Sequence, residues 1–145
     1  MGQRARPQRG IFGALAMAVF VPPWNRMAAS LQVHLPQAGF AGLSGFGRRG
    51  AERRRGLAIA NVHVDVVDWR RRAFRGEAAT LARLVGHLED RRMGRADARE
   101  ATGIMTHHRD FDEDCWSFLE RLLASTHRRS DVRWLSAAEI FGAVA

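Results

Sequence analysis

Two short polar clusters mark where this chain could do chemistry. One runs Asn61-Val62-His63-Val64-Asp65-Val66-Val67-Asp68-Trp69, and the other is Thr106-His107-His108-Arg109-Asp110. Both combine imidazoles with carboxylates. A carboxylate beside an imidazole fixes its tautomer and favours its charged form, which suits general acid work near neutral pH. The same residue types bind metals, and His63, Asp65, His107, His108, Asp110 and Asp112 all qualify as ligands by type. The six His stand at 34, 63, 87, 107, 108 and 127, no two of them four apart, so neither HxxxH nor HExxH occurs. Spacing therefore assigns no metal ligand. The plainer alternative is that His and Asp at strand ends cap the following helix or satisfy loop backbone.

The elements that must position these clusters alternate between strand and helix. Ala18–Val21 reads as a short buried strand, and Met27–Gln37 as a helix that Pro36 ends or kinks. Gly39 is a C-cap before a strand over Phe40–Ser44. Gly45–Gly56, rich in Gly and Arg, reads as a flexible loop, and the β-branched stretch Leu57–Val67 as a strand. Gly76-Glu77 opens the longest helix, running to about Arg92 with Leu81, Leu84, Val85 and Leu88 at helical spacing. Gly103–Thr106 is a strand ending at the two histidines. Asp112 caps a helix over Glu113–Ser125, with Trp116, Leu119, Leu122 and Leu123 on its buried face. Val132–Leu135 reads as a last strand, and Ser136 with Glu139 as a capping box for a final helix. This order predicts an α/β fold of mostly parallel strands with covering helices, whose carboxyl ends are where sites are built.

Composition bounds the possibilities further. The chain has 145 residues, 46% hydrophobic and 26% charged, which fits one globular domain over 11–145 and excludes wholesale disorder. Cys115 stands alone, so an internal disulfide is excluded. No apolar run reaches the roughly 18 residues of a membrane span. All 23 basic residues are Arg, against 15 acidic ones, for a net charge of +8. The clusters Arg48-Arg49, Arg53–Arg55 and Arg70–Arg72 would favour polyanions. Few aromatics interleave with them, so solvated loop charge is preferred to a nucleic-acid surface.

The Arg-rich residues 1–10, read as disordered, and the apolar run 11–21 together mimic a secretory signal. Pro22-Pro23-Trp24-Asn25-Arg26 is not a small-residue cleavage site. A cytoplasmic location is therefore expected, with export as the alternative.

Three segments in order, Pro22-Pro23-Trp24, Asp65-Val66-Val67-Asp68-Trp69 and Ile104-Met105-Thr106-His107, resemble the last three motifs of the bacterial polysaccharide deacetylase (NodB-type) family. The tail from Asp112 to Phe141 is similar to that family's closing helix, strand and helix. The resemblance implies an incomplete (β/α) barrel and metal-dependent removal of acetyl groups from carbohydrates. It places His107 as the general acid, Asp68 as the carboxylate that orients it, and Asp65 as the first acid of the same Asp-x-x-Asp motif. Trp69 and Met105 match the wall that receives the acetyl methyl. Trp24 flanks the site, and Arg26 stands in for a missing arginine.

The family's Thr-Phe-Asp-Asp-Gly and His-x-x-x-His motifs, which supply the general base and the ligands of a zinc-like divalent metal, do not occur here. The resemblance therefore implies a C-terminal portion that is inactive alone. An open barrel also exposes a strand edge, which calls for a missing N-terminal half or a partner chain. The competing classes are a non-catalytic carbohydrate-binding or partner subunit, which would use Trp24 and Trp69, an Arg-driven nucleic-acid binder, and a metalloprotein using His63, Asp65 and His107.

Overall fold

A computed structural model describes residues 11, 13, 16–50, 53, 54 and 56–142. The Arg-rich segment 1–10 lies outside the described residues. The contacts divide the chain into two compact units. One comprises Met1–Asn61 with Ala137–Ala145, and the other Val62–Ser136. The architecture is mixed α/β with short strands, and no barrel closes among the described residues. No described helix is long and apolar enough to cross a membrane.

The first unit is built on a four-stranded sheet. Strands β1 (Val19–Phe20), β2 (Gly42–Leu43), β3 (Arg53–Arg54) and β4 (Leu57–Ile59) lie in the order β1-β2-β4-β3. The pairs β1–β2 and β2–β4 are parallel, and β3–β4 is antiparallel. The presumed loop Gly45–Gly56 thus supplies an edge strand of two arginines. Charged side chains suit an edge, where they discourage further pairing. Arg49 also donates from Nη1 to the Ile59 carbonyl at 2.8 Å, so one clustered arginine serves local backbone.

Helix α1 is short, Ala29–Gln32, and continues as turns instead of the expected helix to Gln37. Pro36 stops it, and Gly39 at φ 89° reverses the chain so that the Phe40 amide donates to the Leu35 carbonyl. Leu35, Leu43, Leu57 and Ile59 form the core of this unit, flanked by Phe20, Met27 and Phe40. The closing helix α4, Ala137–Phe141, belongs to this unit.

The second unit holds two strand pairs. Strand β5 (Val64–Asp65) runs parallel to β8 (Ile104–Met105), with Asp65 opposite Met105. Strand β6 (Val67–Asp68) pairs antiparallel with β7 (Ala73–Phe74). The expected continuous strand Leu57–Val67 is thus broken between Ile59 and Val64, and its halves lie in different units.

Helices α2 (Glu77–Arg92) and α3 (Glu113–Thr126) complete the second unit. Val66, Val67, Cys115, Phe118 and Leu122 are its core. Both helices bury part of the expected stripe: Leu122 is in the core and Leu81, Leu84 and Leu119 pack against it, but the buried face is rotated from the one expected. In α3 the buried residues are Cys115, Phe118 and Leu122, while Trp116 and Leu123 are exposed. In α2, Val85 and Leu88 are exposed and Thr80 and His87 are buried. Thr80, Leu84, His87 and Arg91 follow helical spacing as closely as the leucines do, so tertiary packing selects between the two stripes. Val132–Leu135 forms no strand, and Trp134 instead donates from Nε1 to Thr126 Oγ1 at 3.0 Å.

Candidate functional site

Both candidate sites are built around β5 in the second unit. The first is centred on Asp65, which is 6% exposed. Its Oδ2 accepts from Trp69 Nε1 at 2.7 Å, and its Oδ1 accepts from the Val67 amide at 3.0 Å. The same Oδ1 lies 3.3 Å from His107 Nε2. This is an ion-pair distance without the alignment of a hydrogen bond. The Trp69 indole meets the His107 ring edge-on, with centroids 4.7 Å apart, and the Phe111 ring lies 6.4 Å from the same imidazole, centroid to centroid.

The chain's own turns explain this arrangement. Asp65 ends β5, and its carboxylate caps the amide two residues on, which leads the backbone into β6. Arg75 locks the exit. Its Nε donates to the Asp65 carbonyl at 3.0 Å and its Nη2 to the Val67 carbonyl at 2.6 Å. Across the parallel pair, Met105 faces Asp65 in register, and His107 follows two residues later.

Asp65, not Asp68, is therefore the carboxylate beside His107. Asp68 Oδ1 accepts from the Arg70 amide at 3.0 Å and organises an exposed turn. The reason is the break after β5: Asp65 ends a buried strand, whereas Asp68 begins the 68–71 turn. His108 and Arg109 are exposed in the turn that follows His107. Trp24 and Arg26 belong to the first unit. Trp24 is 85% exposed and held at φ 58°, and Arg26 lines a cleft of about 260 Å³ with Asn25, Arg54 and Asn61.

The second site gathers His63, His87 and Glu100. Their ligand atoms lie within 4.8 Å of one another. The two imidazoles stack with centroids 3.6 Å apart and planes 23° from parallel. His63 Nε2 stands 3.4 Å from Glu100 Oε2, with side-chain exposures of only 3% and 1%. The Gly103 amide donates to His63 Nδ1 at 3.1 Å. His87 Nδ1 meets Thr102 Oγ1 at 2.9 Å, and Arg91 Nη1 donates to that oxygen at 3.3 Å. Burial, followed by the facing His63, pushes the His87 pKa below its ordinary 6.5.

Neither His87 nor Glu100 was singled out from sequence, because the three residues are 24 and 13 positions apart. One signal was present: His87 falls three residues after Leu84 on a stripe that could be buried.

No protein family, curated protein or solved structure matches the chain. Function must be argued from the sites themselves.

A third polar centre is structural. Asp112 caps α3, its Oδ1 accepting from the Cys115 amide at 2.8 Å, and its Oδ2 accepts from the Phe74 amide at 2.8 Å. These two bonds hold its pKa below the ordinary carboxylate value. Burial above all pushes the Cys115 thiol up to about 11, which makes it a poor nucleophile.

Proposed function

We propose that this chain is the C-terminal part of a carbohydrate deacetylase-like hydrolase, supplying the general-acid side of the site and inactive on its own. The observation that carries this reading is the buried carboxylate of Asp65 set 3.3 Å from His107 Nε2, with Trp69 pinned beside the pair. An imidazole whose Nε2 faces a carboxylate keeps its proton there and exchanges the other at Nδ1. His107 Nδ1 takes no partner among the described residues and is the atom assigned to meet a reactant.

In this reading the substrate is an acetylated carbohydrate. As the tetrahedral intermediate collapses, the carbon–nitrogen or carbon–oxygen bond to the sugar breaks. The departing atom takes the proton from His107 Nδ1, and acetate remains. Asp65 takes the orienting role that the resemblance gave to Asp68. Trp69 and Met105 wall the acetyl group, and the α/β architecture is read as part of an incomplete (β/α) barrel.

The zinc-like metal of the family would activate water and stabilise the oxyanion. The residues here do not fit it: the family's motifs that supply its ligands do not occur in the sequence. No step is therefore assigned through it.

The test begins with the DNA upstream of the Met1 codon. The expected result is a stretch encoding Asp-Asp and His-x-x-x-His segments. Co-expression of that segment with this chain is then expected to release acetate from acetylated chito-oligosaccharides, and His107→Ala to abolish the release. Absence of such a stretch, or acetate release by this chain alone, overturns the proposal.

A carbohydrate-binding subunit is the second reading, favoured by Trp69. Its indole is 42% exposed yet fixed by the bond to Asp65, which leaves a rigid aromatic face for a sugar ring.

A further inference from the structure

His63, His87 and Glu100 come together from three separate stretches of the second unit. The three ligand atoms lie within 4.8 Å of one another, on β5's leading edge, on α2 and in the connection before β8. All three side chains are more than nine-tenths buried. Nε2 of His63 and Nε2 of His87 are both buried with no hydrogen-bond partner among the described residues. Buried polar atoms are rarely left so, and two adjacent ones beside a carboxylate call for a shared partner. Finally, Thr102 holds the far nitrogen of His87. Thr102 Oγ1 lies 2.9 Å from Nδ1 and accepts from Arg91, and in the tautomer with the proton on Nδ1 the lone pair of His87 is on Nε2.

We propose that His63, His87 and Glu100 form a structural binding site for one zinc-class divalent ion, tying β5, α2 and the 93–103 connection together. Two imidazoles and one carboxylate are a borderline donor set that suits zinc, cobalt or nickel and not calcium or magnesium. The burial leaves no approach for a large substrate, so the ion's role is to hold the fold. This site shares no residue with the Asp65–His107 pair and does not depend on the reading of that pair.

The metal-free geometry states what binding must change. The Gly103 amide donates to His63 Nδ1, so the His63 proton sits on Nε2, facing Glu100. Coordination through Nε2 displaces that proton. A neutral imidazole bound in this way carries its proton on Nδ1, so the ring must turn from the Gly103 amide. The two rings are also stacked, and they must splay for one nitrogen of each to converge on one ion. Binding therefore shifts the His63 proton between ring nitrogens without releasing it, and it is expected to weaken as pH falls because protons compete for the ligand atoms.

The experiment uses the full chain, stripped with a chelator and then titrated with zinc and, separately, with cobalt. The expected result is saturation at about one equivalent, a cobalt absorption spectrum typical of nitrogen and oxygen donors, and a zinc-dependent rise in melting temperature. His87→Gln and Glu100→Gln are each expected to weaken zinc binding by roughly tenfold or more, while His108→Gln in the exposed turn leaves it unchanged. Should either variant fail to fold, two-dimensional NMR of the unmodified chain decides. Zinc must shift the His63 and His87 ring nitrogens and the Gly103 amide. No saturable binding, shifts confined to other histidines, or affinity lost in His108→Gln would each overturn the proposal.

Discussion

Asp65 and Trp69, four residues apart, are joined by a 2.7 Å bond from the indole Nε1 to Oδ2, while Oδ1 of the same carboxylate faces His107. One side chain thus fixes an aromatic wall and faces an imidazole. Removing it leaves the buried Val67 amide without its acceptor as well. Asp65→Ala is expected to lower unfolding stability by about 1–3 kcal/mol, the cost of orphaning buried donors. Asp68→Ala, which loses one bond in an exposed turn, is expected to cost less than about 1 kcal/mol. Urea unfolding followed by tryptophan fluorescence checks the contrast. Equal losses would show that Asp65 does not organise the site.

Asp112 joins β7 to α3 through two backbone amides, and its lowered pKa makes that junction sensitive to acid. Because the folded value lies below the unfolded one, the carboxylate's contribution is fully present above pH 3.8. It disappears as the pH drops through the lower folded value. Asp112→Ala is expected to cost about 1–2 kcal/mol at neutral pH, as for a lost helix cap, and to flatten the acid limb of stability. Asp112→Asn keeps one acceptor oxygen for the Cys115 amide but sets its NH2 against the Phe74 amide, so it is expected to recover only part of the neutral-pH loss while remaining insensitive to acid. Thermal melts from pH 2 to 7 separate these outcomes.

Local signals were readable where one residue type dictates backbone. Asp112 was identified as a cap from its position alone, and the structure shows the capping bond. Helix α2 begins at Glu77, beside the glycine that opens it at φ 93°. Choices that depend on what packs against an element were not readable. The stripe in α2 could be turned toward Val85 and Leu88 or toward Thr80 and His87 with equal periodicity. The second arrangement brings His87 against His63. The exchange of Asp65 for Asp68 at His107 has a similar cause. Both acids lie within one short motif, and only the break between β5 and β6 decides which one stays buried. The cluster at Glu100 depends on contacts between residues far apart in sequence, and no local pattern encodes it.

Cys115 is fully buried in the core of the second unit, and its thiol titrates at about 11 because burial disfavours the thiolate, with the hydrogen bond to Asp112 adding to the effect. A thiol-specific reagent at pH 8 is expected to label the native chain at least roughly a hundredfold more slowly than the chain in denaturant. The raised pKa also has an alkaline consequence. The thiol's contribution to stability is complete below pH 9.0 and is lost progressively toward about 11. Cys115→Ala removes that alkaline loss, at the cost of a small cavity. Rapid native labelling would mean that α3 opens locally on its own.

Gly42 and Gly86 make opposite predictions for the same substitution. A β-carbon at Gly42 would stand 2.9 Å from Val19 Cγ2 and 3.0 Å from Phe141 Cδ1, inside the packing of β1, β2 and α4. Neither neighbour can yield without disturbing the sheet or the closing helix, so Gly42→Ala is expected to destabilise the chain by about 1–3 kcal/mol. Gly86 lies inside α2, and nothing is within 4 Å of the position its β-carbon would take. There the only change is relief of glycine's excess backbone entropy, so Gly86→Ala is expected to stabilise by about 0.5–1 kcal/mol. Chemical denaturation of the two variants side by side tests the packing of α4 on the first sheet. A neutral Gly42→Ala would mean that Phe141 does not cover β2 in solution.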